Sequence, residues 1–151
     1  MAGSPNDAHD HRRLAVDLFN AVWGLLEKPD RSRAEDDTML HAAHASRFHW
    51  GEAGAPVNLV RGEWQISRVY AVLGRPEPAV YHARRCLELS EGAELEDWDL
   101  PYAYEALARA HAAAGQADEA ERYKALAREQ GAKIADADDR ERFEQDLATL
   151  P

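Results

Sequence analysis

The chain has a single cysteine, Cys86, among its 151 residues. No disulfide can form within it. A lone thiol suits a reducing compartment, so the expected location is the cytoplasm. Lysine is nearly as scarce: Lys28, Lys124 and Lys133 are the only ones, and the remaining basic residues are Arg. Together with abundant Ala, that bias is the habit of GC-rich bacterial genomes. The formal net charge of −10 leaves no basic excess to neutralise phosphates, which argues against nucleic acid and against anionic membrane surfaces. No apolar run approaches the roughly 18 residues of a membrane-spanning helix, and nothing resembles a secretory leader. There is no GxSxG, no phosphate loop and no dinucleotide fingerprint, so no catalytic constellation stands out.

Period-2 strand patterns are missing too. What is present is Ala, Leu, Glu and Arg, the residues that favour helix. The spacing predicts an all-α chain of about seven helices in one domain. The first covers about 8–27, with Leu14, Leu18, Val22 and Leu25 or Leu26 in one stripe, and Pro29 breaks it. Ser32 and Glu35 have capping-box spacing and open a second helix that runs to about Trp50. Pro56 opens a third, which ends near Leu73. A fourth covers about 77–90. An acidic stretch, 91–99, forms a longer loop. A fifth helix runs from about Leu100 to Ala114 with Asp99 as N-cap, and a sixth covers about 117–130. Asp136 caps a last helix over about 137–149. Residues 1–7 are expected to be mobile.

Residues 63–89 and 104–130 repeat one another with an offset of 41. Ile66 matches Leu107, Tyr70 matches His111, Gly74 matches Gly115, and Ala79 matches Ala120. Each is a helix, a Gly turn, and a helix with a small residue five positions after the Gly. Leu107, Ala108, Gly115, Ala120 and Ala127, and more loosely Ile66, Ser67, Tyr70, Gly74, Ala79 and Cys86, resemble the tetratricopeptide repeat. The family's usual period is 34, and the loop at 91–99 absorbs the difference. The resemblance implies antiparallel helix pairs stacked as a short right-handed solenoid. The pairs would be a degenerate one at 8–54, a second at 56–91 and a third at 99–131, closed by a capping helix at 136–149. Cys86 then occupies a small packing position and is expected to be buried and inert.

In that family the first helix of each pair lines a concave groove that holds a peptide. The resemblance places Arg61, Trp64 and Arg68 on that face of the third helix. On the fifth helix it places Tyr102, Glu105 and Arg109 there. Arg forks onto carboxylates, and Trp and Tyr hold apolar neighbours. The expected activity is therefore non-enzymatic: a module that binds a protein or peptide segment, acidic in character, or a second copy of itself, with no cofactor.

A second class of function comes from "DDTMLHAAHASRFHW", residues 36–50. Asp37, His41 and His44 are spaced by four and three, which puts them on one side of a helix with Phe48. His41 and His44 can chelate one divalent transition metal such as zinc, with Asp37 behind them. Glu63, a carboxylate in an otherwise apolar stripe, is the candidate donor from the next helix. It needs a partner if buried: one of these His, Arg47, or a metal. The plainer alternative makes His41, His44 and Phe48 a contact surface. His49 is expected to pack, hydrogen-bonded, between helices. His111 is expected to fill core, His82 to lie on the surface, and His9 and His11 to lie at a mobile end.

Overall fold

The computed structural model describes residues 5–151. Among the described residues there are seven α-helices and no strand: α1 (Pro5–Leu26), α2 (Arg33–Ala53), α3 (Pro56–Val72), α4 (Pro76–Ser90), α5 (Asp99–Ala113), α6 (Ala117–Gly131) and α7 (Ala137–Ala148). The all-α reading and the helix order expected from sequence hold. None of these helices is long and apolar enough to cross a membrane.

Local chemistry accounts for the boundaries. Ser32 accepts from Glu35 N, and the Glu35 side chain accepts from Ser32 N, so the capping box forms as expected. Pro56 and Pro76 stand in the first turns of α3 and α4, where no intrahelical N–H is needed. Asp136 accepts from Asp139 N at 2.9 Å and starts α7. Asp99 corrects its expected role. It lies inside α5, preceded by Trp98, and its carboxylate turns back to accept from Glu96 N and from Arg61.

Successive helices pack on one another, and α3 also meets α5 and α5 meets α7. Four small apolar clusters form the core. Val22, Met39, Ile66 and Val69 join α1, α2 and α3. Leu14 falls outside its expected stripe and is exposed, whereas Ala15 beside it is fully buried. Val60, Cys86 and Ala103 join α3, α4 and α5, and Ala79, Ala83, Ala106 and Leu107 extend that contact. Burial pushes the Cys86 thiol well above its ordinary range, so the thiolate is not accessible. Phe143, Leu147, Leu150 and Ile134 close the far end. A Cβ on Gly131 would clash with Cε1 and stand 2.6 Å from Cδ1 at the edge of the Phe143 ring, so the ring packs there only against glycine.

The pairs α3–α4 and α5–α6 are built alike. Gly74 and Gly115 have φ of 71° and 73°, the left-handed region that glycine adopts without a Cβ clash. In both turns the N–H one residue past the Gly bonds back to a helix carbonyl at 2.9 Å, Arg75 N to Tyr70 O and Gln116 N to His111 O. The carbonyls at each helix end are thereby satisfied.

Candidate functional site

Residues 61, 64 and 68 recur on α3 at helical spacing, and residues 102, 105 and 109 repeat that spacing on α5. Other faces of the two helices carry Ile66, Val69, Leu107 and Ala110 into the core. The polar and aromatic stripes therefore meet side by side. They line a cleft of about 900 Å³, whose walls include Phe19 and Trp23 from α1, Arg61, Trp64 and Arg68 from α3, Trp98 and Tyr102 around the start of α5, and Arg142 and Asp146 from α7. Glu105 lies beneath it and is 1% exposed. All six residues expected to bind a partner thus come together, Glu105 and Arg109 through their bonds to its wall.

Aromatic rings make the walls. Trp23 and Trp64 are 5.4 Å apart between centroids, and Trp64 meets Tyr102 edge-on at 5.7 Å. Three of the chain's four Trp line this one cleft. Such rings supply large apolar contact area with few rotatable bonds.

Most of the cleft's charge is already matched. Arg61 forks onto Asp99, Nε to Oδ1 and Nη2 to Oδ2, both at 3.0 Å, and stacks over Trp98 at 4.3 Å. Glu105 accepts from Arg109 Nε at 2.8 Å and from Trp64 Nε1 at 3.3 Å. Arg109 also donates to Thr149 Oγ1 at 2.7 Å, and Tyr102 donates to Asp146 Oδ2 at 2.6 Å. Burial, with Asp146 beside it, pushes the Tyr102 hydroxyl well above its ordinary range, so it stays a donor.

Arg68 differs. Its guanidinium is 3.8 Å from Glu105 Oε1 and lies over Trp64 at 5.7 Å. Both oxygens of Glu105 are already engaged, and Arg68 donates no hydrogen bond among the described residues. Its side chain is only 16% exposed. Burial lowers its proton affinity and neighbouring Glu105 restores part of it, so the charge is held at a cost. A half-buried cation with idle donors at a cleft wall is chemically suited to a carboxylate or carbonyl on an incoming chain.

The resemblance puts the first helix on the groove without naming its residues, and sequence reasoning missed the α7 wall. Phe19 and Trp23 are one turn apart on α1, and Arg142 and Asp146 are one turn apart on α7. Those spacings were readable, but nothing in the sequence said that these faces meet α3 and α5.

The histidine-rich helix resolves differently. His44 Nε2 bonds Tyr70 Oη at 2.9 Å. Glu63 is buried and accepts from Arg47 Nε at 3.1 Å and bonds His82 Nδ1 at 2.6 Å. Of the partners open to Glu63, the structure supplies Arg47 and a histidine, but the histidine is His82 of α4. Burial alone would raise the Glu63 carboxyl; the hydrogen bonds and charges of His82 and Arg47 outweigh it and hold the group below its ordinary value. His44 is held below its ordinary value by burial first and then by His82.

Asp37 and His41 are exposed. Among the described residues no group of three or more His, Cys, Asp and Glu gathers as a metal-donor set. His82, expected at the surface, is half-buried and stacks on Tyr70, 5.7 Å between centroids and 14° between planes. Its match in the repeat, Tyr123, stacks on His111, so the signal was present in the register. His11, expected at a mobile end, lies in α1 and bonds His49. His111 is buried as expected.

No protein-family model matches this chain, and no curated protein or solved structure matches it.

Proposed function

We propose that this protein is a non-enzymatic interaction module of tetratricopeptide-like build, three antiparallel helix pairs and a terminal helix stacked as a short solenoid. It takes a segment of another protein in the cleft along α1, α3, α5 and α7. The observation that carries the reading is the cleft itself: three Trp and a Tyr line it together with Arg68, whose guanidinium meets no hydrogen-bond acceptor among the described residues. The rings would hold apolar side chains of the segment, and Arg68 would hold a carboxylate or carbonyl beside them. Because Arg61 and Arg109 are already paired, the demand is for an acceptor at Arg68, with exposed Arg142 on the same cleft as a second cation, and not for a highly acidic segment.

Panning a random phage-displayed peptide library on the immobilised protein tests this. Enriched peptides should bind in fluorescence titrations. Trp64→Ala and Arg68→Gln should each weaken them by about tenfold or more while the circular-dichroism spectrum is unchanged. Arg68→Glu, which adds repulsion to a ligand carboxylate, should abolish capture. Peptides that bind all three variants as well as wild type, or a library that yields none, would sink the reading.

A further inference from the structure

The N-terminal half of α1 is joined to the C-terminal half of α2 through histidine rings. His11 Nδ1 and His49 Nδ1 are 2.8 Å apart, and the ring centroids are 5.0 Å apart. The centroid spacing is close to the N···N distance plus two ring radii, so the two nitrogens face each other nearly head on. Phe48, 60% exposed, stands edge-on to both rings, at 6.5 Å from His11 and 5.5 Å from His49. Beside them Arg12 covers the buried ring of Trp50 at 5.4 Å.

A ring nitrogen offers either an N–H or a lone pair, never both. This contact therefore holds only while one of the two Nδ1 atoms carries a proton and the other does not. Two neutral rings satisfy it. One added proton also satisfies it, because the imidazolium donates to the neutral partner. A second added proton puts an N–H on both atoms and a positive charge on both rings. The bond is then replaced by like-charge repulsion.

We propose that His11 and His49 form an acid-released latch that holds the first turns of α1 on α2. The charged groups along the two helices that meet here are few. On α1 they are Asp7 one turn before His11, Asp10 paired with Arg13 at 3.8 Å, and Arg12 over Trp50. On α2 they are Arg47, held by Glu63, and Glu52 one turn beyond His49.

Release stays local. Ser46 Oγ donates to Ala15 O at 2.8 Å, Gln65 Nε2 donates to Phe19 O at 3.0 Å, and Ala15 and Val22 are fully buried. None of these contacts titrates. The turns of α1 before Ala15 would detach and uncover Trp50 and Phe48, while the Phe19 and Trp23 wall of the cleft stays seated. The latch therefore does not depend on what the cleft binds.

Hydrogen exchange of the whole protein reads this directly. Protection factors for the amides of 9–14 should be similar at about pH 7.5 and about pH 6, then fall about tenfold by about pH 5, with α5 unchanged. His11→Gln, whose amide can donate to or accept from His49, should keep its protection at the lower pH. Nuclear magnetic resonance of the two rings should show coupled, two-step titration. Flat protection in wild type, an equal loss in His11→Gln, or two independent one-step titrations would each overturn the latch.

Discussion

The pairs α3–α4 and α5–α6 share a backbone plan but not an interior. In each, a ring on the first helix stacks on a ring of the second. Tyr70 lies on His82 with 5.7 Å between centroids and 14° between planes; His111 lies on Tyr123 with 5.4 Å and 12°. The two residues have exchanged places at matched positions 41 apart, and the stack survives. What changes is the polar company. Around His82 stand Glu63, Arg47 and His44, a network joining α2, α3 and α4. The residue matched to Glu63 is Tyr104, which stacks on Tyr123, and among the described residues His111 hydrogen-bonds only Gln116, at 2.6 Å, with its buried Nε2 left without a partner. Shape is thus repeated where packing requires it, and polarity differs wherever a neighbouring helix can satisfy it.

Removing Glu63 should break the contrast most. Glu63→Ala leaves the half-buried Arg47 and His82 facing each other without their carboxylate. A loss of about 3 kcal/mol in unfolding free energy is expected in urea titration. Tyr104→Phe, at the matched position, should change stability by less than about 0.5 kcal/mol, since no hydrogen bond from its hydroxyl occurs among the described residues. Equal losses would show that the two interiors are energetically the same.

Matched histidine changes give a smaller but cleaner contrast. His82→Phe keeps the stack and takes a hydrogen-bond partner from buried Glu63, for a loss of about 2 kcal/mol. His111→Phe removes an unsatisfied buried nitrogen and frees only Gln116, which is exposed, so the change should stay below about 1 kcal/mol. Differential denaturation of the two variants checks the sign of the difference.

The smallest effect is a pH dependence confined to the α2–α4 side. His44 in the fold binds its proton less readily than its ordinary value of 6.5. Between the folded and ordinary values the unfolded chain therefore carries more protons, so stability is present above about pH 6.5 and declines as pH falls through that window. His44→Gln should flatten the slope of stability between about pH 7 and about pH 5 by a fraction of a kcal/mol.

The helices were legible because their signals are local. A capping box, prolines at helix starts and Gly at 74 and 115 act within a few residues, and the apolar stripes repeat every turn. The grouping of Arg61, Trp64 and Arg68 came from the resemblance, whose Gly turns set the register of the third helix. Asp99 misled, since a carboxylate before an apolar run has the look of an N-cap, whereas Glu96 N and Arg61, 38 positions away, hold it turned back.

By itself the sequence determined an all-α chain, the order of its seven helices and the repeated Gly turns. These depend on backbone preference and on periodicity, which neighbouring residues decide. Only the tertiary structure decided which charges remain idle and which histidines meet. Arg61 and Arg109 are spent on Asp99 and Glu105 while Arg68 is not, and His82 and His11 belong to networks where spacing alone placed them at a surface or an end. Pairing energy falls away within a few ångströms, so it is settled by which helices touch, and that is a property of the packed molecule.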